Sequence, residues 1–267
     1  MTPIDSLQGA LGAAGRAGVR WSASWWQVVN VGALILVLAL SPSSYRRDDR
    51  LALAHHVWLG SAPLLPWFTV LSALVSLVLI RIVVVTAQSY GLSQYAIEMV
   101  VRVLVLELIP LTAALFVALR ATLPSGAELT RMHARGAFAS MLEAGIDPLR
   151  RELMPRVVAG ILAVALLAAL SCLLAMGIAY LSVYGFTLGA LPGFTRTVGQ
   201  VFNPSVALIL VLKTLFFSLS ISLIPVAAFL RGAHLGRSRA SAELDSLVRM
   251  FGLILLIEVA SLVGNYY

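Results

Sequence analysis

Charge is scarce in this sequence: Asp, Glu, Lys and Arg make up 12% of its 267 residues, about half the share of an ordinary soluble domain. There is one cysteine, Cys172, so an intramolecular disulfide and a thiolate metal cluster are both excluded. Only four histidines occur. His55 and His56 are adjacent and so do not share a helix face, while His133 and His234 stand alone, which argues against a metal site. No G-x-x-x-x-G-K-[ST] phosphate cradle is present. The one Lys-Thr pair, Lys213-Thr214, follows an apolar run, so this chain does not itself hydrolyse ATP. No group of His, Asp or Ser with catalytic spacing stands out, which argues against a membrane-embedded enzyme. No internal inverted repeat supports a gradient-driven carrier.

What is present is hydrocarbon. The chain is 60% hydrophobic with a mean hydropathy of +0.95, and the bilayer is the solvent this implies. With about 20 apolar residues per crossing, the length allows about five or six spans with short loops and no separate soluble domain. The net charge of +7 and the pI near 10.2 would suggest nucleic acid in a soluble protein. Here the arginines lie between apolar runs, where they report membrane topology instead, and nucleic acid is not expected as a partner.

Along the chain, the Gly/Ala-rich segment Ile4–Arg20 leads into Trp21, Trp25 and Trp26 and is read as an interfacial elbow helix. The apolar run Val28–Leu40 after Arg16 and Arg20 imitates a secretory signal, but no A-x-A cleavage site follows. Residues 25–41 are of marginal spanning length, and the polar break from Pro42 to Arg50 suggests a helix that dips in rather than crosses. A short amphipathic stretch, Leu51–Leu59, precedes spans expected at about 62–85, 95–123, 157–184, 205–230 and 250–263. The longest charged insertion runs from Pro124 to Pro155. A Gly/Pro-punctuated loop is expected at Gly185–Pro204, and a basic loop over Arg231, Arg237, Arg239 and Arg249. Nearly all loop arginines fall in the N-terminal region, the insertion and the basic loop, which places these three in the cytoplasm and the C-terminus outside.

Ionisable groups inside spans are costly and usually pair or line a polar cavity. Glu98 and Arg102, four residues apart, can neutralise one another. Glu107 points elsewhere and needs another partner, and the chain's single lysine, Lys213, could supply it across helices. Arg81 and Glu258 are further intramembrane charges, expected to snorkel or find a neighbour. For Glu107 and Lys213 two readings stand, a buried ion pair that fixes packing and a place on a transport path.

The ordered elements Glu107-Leu108-Ile109-Pro110, Leu119-Arg120, Ala127-Glu128-Leu129 with Met132, Gly145-Ile146-Asp147-Pro148-Leu149-Arg150 and Pro155-Arg156 resemble the signature region of MlaE/YrbE permeases, densest over Glu107–Gly160. The resemblance implies an all-α polytopic permease forming one domain over 1–267: N-terminal interfacial or membrane-dipping helices in 1–60, two spans in 62–123, a cytoplasmic coupling region in 124–156 and three spans in 157–267. It further implies a bacterial inner-membrane subunit that moves phospholipid or a similar amphiphile. The expected partners are a second permease copy in a homodimer or heterodimer, a cytoplasmic ABC ATPase that binds the ATP and Mg, and an MCE-domain protein. Glu107, Lys213 and, less directly, Arg102 would line the lipid cavity. Glu128, Arg131, Met132, Phe138, Met141, Leu142, Asp147, Arg150 and Arg151 would form the ATPase coupling region, with Phe138, Met141 and Leu142 as the apolar face of a coupling helix. Arg135-Gly136-Ala137 stands where the family has T-E-Q, and a glycine within that helix would weaken it by ~1 kcal/mol relative to alanine. The alternative function is an ion-gradient-driven secondary transporter or channel, using the same charges for proton coupling.

Overall fold

The computed structural model describes residues 26, 28–39, 41, 54–58, 60–92, 95–235 and 239–266, without the side chains of 188, 231–243 and 266. The described chain is helical, with no strand among the described residues. We label the helices α1 (Val28–Ala39), α2 (Leu64–Ser89), α3 (Ala96–Ala134), α4 (Ala137–Glu143), α5 (Leu149–Tyr184), α6 (Leu191–Val201), α7 (Pro204–Leu235) and α8 (Arg239–Tyr266). Five of them, α2, α3, α5, α7 and α8, are long and apolar enough to cross a membrane, in the order the hydropathy predicts. The elbow helix expected over Ile4–Arg20 with Trp21 and Trp25, the polar break Pro42–Arg50 and Arg237 lie outside the described residues.

Small residues set how closely the spans approach, as expected where lipid supplies no hydrophobic drive between helices. A Cβ built on Gly160 of α5 would lie 2.4 Å from Ser222 Oγ and 3.2 Å from Thr122 Cγ2, so α3, α5 and α7 meet over this glycine. By contrast Gly177, nearly five turns further along α5, has open space around it. Gly160→Ala is therefore expected to lower the thermal midpoint in detergent, with an overpacking penalty of about 1–3 kcal/mol. Gly177→Ala should hold or raise the midpoint through helix propensity. Equal shifts for the two would contradict the packing assignment.

Proline explains a second feature. The helix widens into π-helical turns over Val101–Leu108, Ala118–Thr122 and Leu149–Leu153. Each stops one residue short of Pro110, Pro124 or Pro155. A proline offers no N–H to the carbonyl four residues back and its ring crowds that carbonyl, so the preceding turn relaxes by widening. The widened turns carry Glu107 and Glu152, one from each of the two sites described below.

Three expected boundaries are corrected. The Gly185–Pro204 segment is not all loop: Gly185, at φ 64°, ends α5, and Pro192 in the first turn of α6 starts a new helix. The basic segment 231–249 is largely helical, because α7 continues to Leu235 and α8 begins at Arg239, and Arg249 is held by Asp245 at 2.8 Å one turn away. The insertion between the second and third spans holds two helices, not one. Gly136, at φ 74°, joins the end of α3 to α4 in the left-handed region, where an L side chain costs about 1–2 kcal/mol. The glycine expected to weaken a continuous helix is the joint that lets the chain turn.

Candidate functional site

The buried charges gather at one place within the spans. Lys213 of α7 is 2% exposed and donates to Glu107 Oε2 of α3. Its ammonium also lies 2.9 Å from Glu258 Oε2 of α8, an ionic contact off the hydrogen-bond axis, and 3.3 Å from the carbonyl oxygen of Leu106. That carbonyl is available because Pro110, four residues on, has no N–H to offer it. On the far side, Asn265 Nδ2 of α8 donates to Glu107 Oε1 at 3.2 Å. Phe217, one turn after Lys213, presents its ring 5.8 Å from the ammonium. Two carboxylates, a carbonyl and an aromatic face thus surround one ammonium, and with the Asn265 amide on Glu107 they tie α3, α7 and α8 together.

The sequence offers Lys213 as a partner for Glu107 across helices, and the two do meet. It did not bring in Glu258 or Asn265, because α8 is remote in sequence from α3 and no periodicity relates them. Arg102 lies elsewhere: its Nε donates to Glu98 Oε1 at 3.0 Å, with both side chains more than a third exposed. Arg81 is exposed on α2.

A second polar group ties the insertion at its base. Arg156, at the start of the third span, has a side chain only 9% exposed. Its Nη2 and Nε both donate to Glu152 Oε2, at 2.9 and 3.3 Å, and its Nη1 donates to Glu128 Oε2 at 2.9 Å and to Ser125 Oγ at 3.1 Å. Nη2 also lies 3.6 Å from Met132 Sδ. The arm leaving the membrane and the arm returning to it are thereby clamped together, about 30 residues apart in sequence. His56 sits beside this clamp, its Nε2 4.0 Å from Glu152 Oε2. Burial and then the Arg156 charge lower its pKa from the ordinary histidine value, with Glu152 opposing them.

Beyond the clamp, Phe138 of α4 packs against Phe229 of α7 and His133 of α3, with ring centroids 5.6 and 6.0 Å apart, and His133 meets Phe229 at 5.9 Å. Met141 is half-buried, whereas Leu142 is 65% exposed. The three apolar residues therefore do not share one role, since Phe138 turns inward onto α7 and Leu142 outward. Arg131 and Arg151 are exposed, and Asp147 caps the turn into α5, accepting from the Leu149 N–H at 3.0 Å with Arg150 Nε 3.7 Å from its other oxygen.

Five apolar spans, a buried charge cluster between three of them and a clamped polar insertion define a multi-pass membrane protein. The family model described as Permease MlaE matches residues 53–263, which takes in all five spans, the cluster except Asn265 and the whole insertion. The chain belongs to the MlaE permease family. No curated protein matches it.

Proposed function

We propose that this chain is the permease subunit of an ABC-type lipid transport complex in a bacterial inner membrane, moving phospholipid or a similar amphiphile with ATP hydrolysed by a separate subunit. The single observation that carries the reading is the Permease MlaE match over 53–263, since permeases of that family act in ABC transporter complexes. The partners are a second permease copy, a cytoplasmic ATPase and an MCE-domain protein. The insertion and the N-terminal region face the cytoplasm, and the C-terminus faces outward.

The geometry supplies a route for mechanical coupling on this reading. The ATPase acts on α4 and its flanks, through the exposed Leu142, Arg131 and Arg151 and the partly buried Arg150. Movement of α4 reaches α7 through the stacked Phe138 and Phe229. Phe229 and Lys213 are sixteen residues apart on α7, about 24 Å at 1.5 Å per residue. A displacement at the insertion therefore arrives at the buried cluster along one helix, in which only Pro225 interrupts the backbone hydrogen bonds. At the cluster, the charges can engage a headgroup while apolar faces of the same spans accommodate acyl chains.

Affinity purification from the native membrane in mild detergent tests the assignment. Recovery of an ATPase, an MCE-domain protein and phospholipid is expected, and a chain recovered alone would shift the reading to a gradient-driven carrier. Within an intact complex, charge reversal at Arg150 and Arg151 is expected to uncouple ATP hydrolysis from lipid movement while leaving membrane insertion unchanged. Lipid-stimulated hydrolysis at the wild-type level would count against the coupling role.

A further inference from the structure

The charges of the buried cluster do not sum to zero. One ammonium, Lys213, faces two carboxyl groups, Glu107 and Glu258, so the trio fully ionised carries one net negative charge. Lys213 is 2% and Glu107 8% exposed, and the Glu258 side chain is 14% exposed. Along α7, Lys213 lies nine residues after Pro204 and seventeen before Leu230, the bounds of the apolar span, or about 13 Å and about 25 Å from its two ends. At that depth the surroundings are hydrocarbon, and a net charge left there is costly.

No neighbouring side chain supplies a second cation. Among the described residues, the nearest arginines on the same helices are already paired, Arg102 of α3 with Glu98 and Arg249 of α8 with Asp245. Between Pro204 and Leu230, α7 holds no charged residue besides Lys213. Hydrogen-bond donors are short as well. Glu107 accepts from the Lys213 ammonium on Oε2 and from the Asn265 amide on Oε1. Glu258 Oε2 lies 2.9 Å from the ammonium but makes no hydrogen bond. Ser261 Oγ and Asn265 Oδ1, one and two turns further along α8, are buried without partners too. The Glu258 and Glu107 carboxyl groups lie within hydrogen-bond reach of each other. Two carboxyl groups attract at that range only when a proton lies between them.

We infer that the cluster is a proton-binding site, with one proton held between Glu258 and Glu107 so that the assembled trio is neutral. The proton belongs to the pair of carboxyl groups rather than to either residue. Holding a proton on a free glutamate at neutral pH is disfavoured about five-hundred-fold. A buried carboxylate with no cation of its own is worse off, and it neutralises instead. The proton enters from water when α3, α7 and α8 pack together. It returns to water when α8 parts from α3, because each carboxyl group then regains solvent. Opening of these spans is thereby tied to proton release, whether or not the chain moves lipid.

Infrared spectroscopy of the purified full-length chain in maltoside micelles, which bring no ester carbonyls of their own, tests the assignment. At neutral pH the wild type should show the C=O band of a protonated carboxyl group, shifted to lower frequency in D2O. Glu258→Gln should abolish the band. Glu107→Gln should abolish it as well, since one carboxylate then remains for one ammonium and no proton is needed. Absence of the band from the wild type at neutral pH would overturn the site without recourse to any variant, so a variant that fails to fold does not rescue it. A band that survives Glu107→Gln would overturn it too, because burial alone, and not charge balance, would then hold a proton on Glu258. A band that survives Glu258→Gln would belong to a carboxyl group elsewhere, with the same consequence. The readout is a protonation state in the resting chain, so it stands or falls independently of any transport measurement.

Discussion

Lys213→Met should unfold the membrane domain at a far lower temperature than any single surface change. Removing the ammonium leaves Glu107 and Glu258 facing each other between α3, α7 and α8 without the cation that both contact, and it strips the Leu106 carbonyl of its donor. Breaking a buried pair by deleting one partner costs about 3–5 kcal/mol, because a buried charge is left uncompensated. A methionine of similar length restores the packing against Phe217 but none of the charge. The diagnostic is the rescue: Lys213→Met with Glu107→Gln and Glu258→Gln removes all three charges and should recover most of the lost stability, since replacing a whole buried ionic group is often near neutral. Tryptophan fluorescence melts in detergent give both numbers. If the single variant melts like the wild type, the cluster does not hold the helices together. If the triple variant is no better than the single one, charge imbalance is not the cause of the loss.

The same rescue separates the two readings left open for these charges. A triple variant that is stable but moves no lipid would place the cluster on the transport path. One that is stable and active would leave it a packing device.

Much of this was legible in the sequence because spans are long and their signal is local. Roughly 20 apolar residues in a row outweigh any tertiary effect, so the positions of α2, α3, α5 and α7 follow directly from hydropathy. A lone lysine in an apolar run demands a partner, and Glu107 was the carboxylate in reach of no residue on its own helix. The third member of the cluster was visible as a charge but not as a neighbour, since only the fold brings α8 against α7. Gly136 shows a different limit. A glycine between two helical patterns reads as a weak point in one helix unless its positive φ is known, and φ at a joint is set by where the two flanking helices must pack. The widened turns could have been read from Pro110, Pro124 and Pro155, each of which silences the donor for a carbonyl one turn back. In the sequence Arg156 stands out only as part of the Pro155-Arg156 motif. Its importance comes from Glu128 and Ser125, which lie on the opposite arm of the insertion.

That position makes Arg156 the residue whose loss should most loosen the insertion. Arg156→Met is expected to cost about 2–4 kcal/mol, less than a fully buried pair would, because Glu128 has a side chain 59% exposed and its share is screened by solvent. Glu152, at 15% exposure, carries the larger part. Lysine should not substitute, since one ammonium cannot reproduce a guanidinium that donates from three nitrogens to two carboxylates and a hydroxyl. Glu128→Gln should be mild by comparison, because Glu152 still holds the arginine. Limited proteolysis reads the difference directly. Cleavage between Gly136 and Pro148 should accelerate several-fold in Arg156→Met and Arg156→Lys, with little change in Glu128→Gln, while the spans stay protected. Equal cleavage rates in all of them would mean that the two arms are held by Phe138 on Phe229 alone, and that motion entering at α4 reaches α7 without passing through the clamp.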